Sequence, residues 1–429
     1  MPDVYADGVI AGAIETGLRE TAFIYDPAWL KSPARFPLSL SMPLSAREWG
    51  PDVILPWLMN LLPEGAPLRA LTRALGASAE DVLALISASG GDLAGALSIR
   101  PPAGLARNEP IRDEAALERI LNELPAKPFL VGEEGVAMSL AGAQDKLPVV
   151  FESGAFYIPV NGAASTHILK PDTASLPGSV QNEALCMQLA RRCGLNVADV
   201  TTGIAGDRSY LLVTRYDRIL NEGAVRRIHQ EDFCQALGRP PGAKYEHNAT
   251  GVPGPSLADM FALIGEHMTA RDTNRFLDAV IFNVAIGNVD SHAKNYSILL
   301  THGRVELAPL YDLMSGLAWA NITETHAQSV GGQRRGRYIL RRHWQRLAAA
   351  AGLSAPAVLR RVVSVCDRIA DELPRAREDV LAMPAGEGVL LETVSREIAA
   401  RVKTVRFNAR TGEPGDPADH PEDGDTPGD

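Results

Sequence analysis

The chain has no apolar run approaching the roughly eighteen residues that a membrane-spanning helix needs. Its opening stretch, Met1-Pro2-Asp3-Val4-Tyr5-Ala6-Asp7, lacks the basic and apolar regions of a secretory leader. Cysteine is scarce. The four present, Cys186, Cys193, Cys234 and Cys366, include no C-x-x-C spacing, so no disulfide framework is indicated. Cys186 and Cys193 fall in a helical pattern and read as small buried hydrophobes. The reducing cytoplasm is the expected compartment, with no membrane involved. Basic residues are outnumbered, 42 Lys and Arg against 52 Asp and Glu, for a net charge of −10. That balance argues against non-specific binding to nucleic acid.

What is present is a globular composition, 46% apolar over 429 residues, enough for roughly two or three domains. Residues 411–429 hold seven acidic side chains and no Lys or Arg. This Pro-, Gly- and Asp-rich tail has no large apolar group and is expected to be disordered. One local exception to the acidic balance runs from Arg334 to Arg346. It reads either as a solvated face or as a contact patch for an acidic partner, phosphate or DNA backbone.

The most informative segment is Asn288-Val289-Asp290-Ser291-His292-Ala293-Lys294-Asn295, followed by Leu310-Tyr311-Asp312. An Asp five residues before an Asn, with a second Asp after a hairpin-sized gap, is how kinases place a base and two magnesium ligands. Magnesium favours hard oxygen donors, which carboxylates and an amide carbonyl supply. Asp290 suits the base; Asn295 and Asp312 suit the metal. Between them, Tyr296–Leu300 and Val305–Leu307 read as strands around a His302-Gly303 turn.

Upstream, Ser139-Leu140-Ala141-Gly142-Ala143-Gln144-Asp145-Lys146 is a small-residue loop. Strands at 147–151, 156–160 and 166–171 follow, the last reaching Lys170. A strand lysine after such a loop can grip phosphates. Glu183 lies early in a helix with an apolar face at Leu185, Cys186, Leu189 and Ala190. It can pair with Lys170 or merely complement the helix N-terminus. Tyr210–Arg218 reads as a strand running to a polar corner, where an inter-lobe hinge belongs.

At the N-terminus, 8–14, 21–25 and 36–42 read as strands, and 57–65, 67–75 and 78–88 as helices. A connector at 101–127 carries a helix from Glu114 to Leu124. Helices are expected at 231–238, 256–268, 271–287, 342–351, 355–372, 374–383 and 391–406. The Pro- and Gly-rich connection 239–255, with Lys244-Tyr245-Glu246, either lines a substrate groove or is ordinary surface.

Together these segments resemble the HipA family of serine/threonine kinases, the toxin halves of bacterial toxin–antitoxin pairs, over roughly residues 5–400. The resemblance rests on six motifs in order: 139–146, Thr166-His167-Ile168-Leu169-Lys170, Val213-Thr214-Arg215-Tyr216-Asp217-Arg218, 229–238, 290–295 and Leu310-Tyr311-Asp312-Leu313-Met314-Ser315. It implies an α+β, bilobal protein-kinase-like fold. Its parts would be an N-terminal α/β module at 1–105, a mixed N-lobe at 106–217, a helical C-lobe at 218–406 and the tail at 407–429.

Carried over by position, the resemblance makes Asp290 the catalytic base and gives magnesium to Asn295 and Asp312. ATP would be bound by Ala141, Gly142, Ala143, Gln144, Asp145, Lys146 and Lys170. Thr214, Arg215 and Tyr216 would lie at the adenine, although the family often has Glu where this chain has Thr214. His292, Ala293, Lys294, Asn295, Tyr311 and Asp312 would complete the nucleotide site. Ser139 matches a serine that family members autophosphorylate to switch themselves off. The implied partners are a HipB-like helix-turn-helix antitoxin, operator DNA through it, and an aminoacyl-tRNA synthetase as substrate. The rival readings are a small-molecule or lipid kinase and a catalytically inactive co-repressor.

Overall fold

A computed structural model of the protein describes residues 2–16, 21–99, 104–221 and 224–413. The N-terminal module is built on an antiparallel sheet of β1 (Asp3–Ala6), β2 (Val9–Thr16), β3 (Thr21–Tyr25), β4 (Glu48–Trp49) and β5 (Leu97–Ser98), in the order β4-β3-β2-β1-β5. Helices α1 (Pro27–Lys31), α2 (Pro51–Met59), α3 (Gly65–Leu75) and α4 (Val82–Ser89) accompany it. Ile14, Phe23, Tyr25, Ile54, Trp57 and Leu85 form its buried core.

Two expectations fail in this module. The alternating stretch 36–42 makes only a single bridge, Ser39 to Met42. Its backbone donors go to side chains instead: Leu38 N–H donates to Tyr25 Oη (2.8 Å) and Leu40 N–H to Glu231 Oε1 (2.8 Å). A segment satisfied this way has no need of a ladder. The helix expected at 57–65 is α2, which begins at Pro51 and ends before Asn60. Proline at the first helical position costs no hydrogen bond, because that N–H has no intrahelical partner in any case.

The N-lobe sheet contains β6 (Arg107–Pro110), β7 (Leu147–Glu152), β8 (Ala155–Val160), β9 (His167–Pro171), β10 (Val200–Ala205) and β11 (Arg208–Thr214), in the order β10-β11-β9-β7-β8-β6. Helix α5 (Glu114–Glu123) packs Leu117 and Leu121 into its core. Helix α6 (Ser179–Arg192) turns its apolar face, with Cys186, toward the core of the helical lobe. The four cysteines are free and buried, as their spacing suggested.

A short hairpin, β12 (Arg218–Asn221) and β13 (Ala224–Arg227), leads into the C-lobe. There β14 (His229–Asp232), β15 (Ser297–Thr301) and β16 (Arg304–Leu307) make a small antiparallel sheet. The helices are α7 (Phe233–Ala236), α8 (Leu257–His267), α9 (Ala270–Ile286), α10 (Arg341–Ala350), α11 (Ala355–Leu381) and α12 (Val389–Thr411). Among the described residues no helix is long and apolar enough to cross a membrane.

The break expected near 373 does not occur, and α11 passes through Pro374. Its buried stripe, Val358, Val362, Val365, Ile369, Leu373, Ala376 and Val380, keeps helical spacing across the proline. Continuous burial outweighs one lost backbone bond. Helix α12 runs past the expected end at 406 to Thr411; the acidic residues beyond 413 lie outside the described residues. The arginine-rich stretch divides: Arg337 pairs with Glu324 (2.8 Å), whereas Arg341, Arg342 and Arg346 stand exposed on α10.

Candidate active site

Helix α9 aims the central loop. It opens with a capping box between Thr269 and Asp272 and stops at Gly287, whose φ of 69° is left-handed. A side chain at 287 would meet Leu317 Cγ at 2.3 Å, so this stop requires glycine. Asn288 then organises the turn. Its amide donates to Asn283 Oδ1 (3.0 Å), and its Oδ1 accepts the Asp290 N–H (3.2 Å). Asp290 sits at the crevice surface, and its backbone carbonyl accepts from His292 N–H (2.7 Å) and Asn295 Nδ2 (2.8 Å). The Asn295 amide oxygen takes no protein donor among the described hydrogen bonds. Desolvation by the crevice walls, reinforced by the charge of Asp312, raises the Asp290 carboxyl above its usual range, against a hydrogen bond from Tyr245.

Lys170 arrives on β9 and Glu183 on α6, both buried. The lysine Nζ lies 2.7 Å from Glu183 Oε1 and 2.7 Å from Asp312 Oδ1. Glu183 is thus a lysine partner rather than a helix-end charge. Burial opposes the charge on Lys170, yet the two carboxylates outweigh it and raise the ammonium above the ordinary lysine range. Asp312 is likewise desolvated, but Lys170 and Lys146 hold it well below the ordinary carboxylate range, so it stays ionised. Its φ of 57° is left-handed, a conformation rare outside glycine that clusters at functional sites.

The small-residue loop lies against the N-terminal module. Gly142, with φ 105°, accepts at its carbonyl from Glu64 N–H (3.0 Å). Lys146 Nζ donates to Ala141 O (2.6 Å). A Cβ on Gly142 would sit 2.6 Å from that ammonium and push it aside, and the positive φ favours glycine here. Ala141, Gly142 and Lys146 line the inner crevice; Ala143, Gln144 and Asp145 do not. Ser139 is fully buried, with Oγ donating to Leu61 O (2.9 Å) and N–H to Asp92 O (3.2 Å).

At the hinge, Thr214, Arg215 and Tyr216 all border the inner crevice. Tyr216 stacks on Tyr311 with ring centres 5.9 Å apart. Arg215 points its guanidinium elsewhere, to Asp217 (2.8 Å), Leu93 O (2.8 Å) and Ser165 Oγ (2.9 Å). Lys294 borders the crevice, but its ammonium is tied to Asn60 Oδ1 (2.7 Å) and Asp232 Oδ2 (3.1 Å). Ala293 is buried outside the crevice lining. His292 is buried, neutral because desolvation depresses its pKa, and its Nδ1 has no partner. Sequence reading missed Asn60, Leu61 and Glu64, which the N-terminal module contributes to the crevice. The only signal was the Pro63-Glu64-Gly65 break after an apolar helix.

An outer crevice of about 810 Å³ adjoins the inner one, with Tyr245, Asp290, Met314 and Trp319 among its walls. Asn295 and Asp312 line both. A nucleotide entering from one side and an acceptor from the other would meet at these two residues.

The donor set fits magnesium held jointly by protein and phosphates. Asp312 supplies an ionised carboxylate and Asn295 an amide oxygen. Among the described residues no cluster of three or more His, Cys, Asp or Glu is arranged to hold a metal alone. The orphaned His292 Nδ1 and the open cradle at Gly142 fit a phosphate chain.

Comparison with known proteins agrees with this fold. Residues 2–100 match the HipA N-terminal domain and 138–373 the HipA-like C-terminal domain. A putative kinase of Sinorhizobium fredii is 39% identical over 95% of this chain and 98% of its own length. The serine/threonine-protein kinase toxin HipA of Shewanella oneidensis is 33% identical over 84% of both chains. A solved complex of HipA, HipB and operator DNA from Shewanella oneidensis matches at TM-score 0.83 and 28% identity, covering 95% of this chain and 99% of that one. On this fold, this site and these relatives, the chain belongs to the HipA family of kinase toxins.

Proposed function

We propose that this protein is an ATP- and magnesium-dependent serine/threonine protein kinase, the toxin of a toxin–antitoxin pair. The observation that carries the reading is that Asn295 and Asp312 stand at the seam between two crevices, with the Lys170–Glu183 pair bonded to Asp312 from behind and Asp290 on the outer side. Lys170, Lys146 and His292 hold the phosphates. Asn295 Oδ1 and Asp312 would hold magnesium, which would neutralise charge on the transferred group. Asp290 accepts the proton of the acceptor hydroxyl as that hydroxyl's oxygen bonds to the γ-phosphorus and the γ-phosphorus parts from the bridging oxygen, which leaves on ADP. The intact set argues against an inactive co-repressor.

The substrate in this reading is a serine of a translation protein, an aminoacyl-tRNA synthetase. The partner is a HipB-like helix-turn-helix antitoxin that brings the pair to operator DNA, in keeping with the Shewanella complex. Ser139 is the self-phosphorylation site. Since its hydroxyl is buried against Leu61, modification requires the loop to leave its seat. A phosphate there adds nearly two negative charges and keeps the loop out.

Incubation of lysate with γ-labelled ATP and magnesium tests the reading. Label is expected in a protein band, and Asp290→Asn should lower transfer by roughly two to four orders of magnitude. Ser139→Ala should abolish self-phosphorylation and its inactivation. Label confined to small molecules, or normal transfer by Asp290→Asn, refutes the assignment.

A further inference from the structure

We infer that Tyr245 is a positioning residue for phosphoryl transfer: its phenol fixes the rotamer of Asp290, so that one carboxylate oxygen is anchored and the other faces the acceptor. The inference rests on the kinase reading above. Tyr245 Oη donates to Asp290 Oδ1 at 2.5 Å, bringing the connection 239–255 into the outer crevice. Asp290 has no other anchor for its carboxylate among the described hydrogen bonds and ion pairs; the loop bonds around it hold only its backbone. A free aspartate side chain has two soft torsions, and a base misplaced by about 1 Å can cost on the order of a hundredfold in rate.

The tyrosine can act as an anchor because its own segment is fixed on every side. The Lys244 carbonyl accepts from Ala293 N–H (3.2 Å) and Gln328 Nε2 (3.2 Å). Lys244 Nζ reaches Glu64 Oε2 (2.8 Å) on the N-terminal module. Glu246 N–H donates to Ala327 O (3.1 Å), and its carboxylate takes the Ser329 hydroxyl (2.9 Å). Asn248 Nδ2 donates to Tyr245 O (3.1 Å). The Tyr245 ring packs edge-on against His292, centres 5.2 Å apart. Gly254 comes so close that a Cβ there would lie 1.8 Å from Tyr245 O, which fixes the far end of the loop. A loosely held lid would not carry this many bonds. The phenol is therefore a built part of the crevice wall, two residues in space from the nucleotide loop through Glu64.

The test is a double-mutant cycle on full-length protein, with phosphoryl transfer to a protein acceptor as readout. Tyr245→Phe keeps the ring and removes the hydroxyl. The expected result is a fall in kcat of roughly ten- to a hundredfold, with KM for ATP and for the acceptor unchanged and the thermal midpoint near wild type. In an Asp290→Asn background the same change should have little further effect, because effects of groups acting as a unit are not additive. Unchanged or raised kcat in Tyr245→Phe overturns the inference; a rise would mean that the phenol plugs the site. Full additivity with Asp290→Asn also overturns it, as does a rise in KM alone. A wild-type protein that transfers no phosphate overturns the kinase reading and this role with it.

Discussion

Removing the carboxylate of Asp92 should unfasten the N-terminal module from the kinase lobes. Asp92 is 2% exposed and accepts from Ser165 N–H (3.1 Å), Ser165 Oγ (2.6 Å), Arg218 Nη2 (3.0 Å), Arg227 Nη2 (3.2 Å) and Arg215 Nη1 (3.4 Å). Asp217 is the second acid of the cluster. Asp92→Ala leaves three guanidinium groups against one carboxylate, two of them (Arg215 and Arg218) buried. Breaking a buried pair in this way costs roughly 3–5 kcal/mol, chiefly through the stranded charge. At about 2–4 °C per kcal/mol for a sizeable domain, the melting midpoint should fall by about 6–20 °C. Differential scanning fluorimetry at neutral pH measures it. Acid should mimic the mutation. Although burial opposes ionisation, the arginines depress the Asp92 carboxyl from 3.8 to about 2. Its stabilisation is therefore present above about 3.8 and is lost as pH falls toward 2. A midpoint within about 2 °C of wild type at pH 7 would show that the cluster is not a fastening.

Glu231 should produce the opposite pH dependence. Burial raises its carboxyl from 4.5 to about 8, against hydrogen bonds from Ser39 Oγ (2.5 Å) and Leu40 N–H. Its contribution is complete below about 4.5 and declines as pH rises through 8. Glu231→Gln should flatten this decline in thermal midpoint between those values; parallel curves for both proteins would remove the assignment. Gly142→Ala should raise KM for ATP on the order of tenfold, since φ 105° imposes roughly 1–3 kcal/mol of strain on alanine there and a Cβ would push Lys146 Nζ from its place. An unchanged KM in steady-state assays would show that the loop does not hold phosphate in this conformation.

The geometry of the candidate site was legible in sequence where it is local. Asp290 and Asn295 share one loop, and Asp312 follows a single hairpin, so spacing alone places them together. Lys170 and Glu183 were legible because a strand followed by a helix leaves few ways to face one another. What stayed hidden comes from residues far apart in the chain. Asn60 meets Lys294, and Ser39 meets Glu231, across sequence separations that carry no periodicity. The same contacts explain the misread strand at 36–42, whose alternation matches a ladder but whose donors are claimed by Tyr25 and Glu231. Arg215 borders the inner crevice as its place in the motif suggested, but only the position of Asp92, in another module, shows where its guanidinium goes.

The bond from Lys294 to Asn60 has a consequence for how such proteins can evolve and be dissected. The chain matches two separate domain models, yet one half finishes the wall of the other half's crevice. A gene fragment encoding only 138–373 would deprive Lys294 of Asn60 and Glu231 of Ser39, and its product would be a damaged protein rather than a minimal one. Recombination between relatives should therefore exchange both halves together.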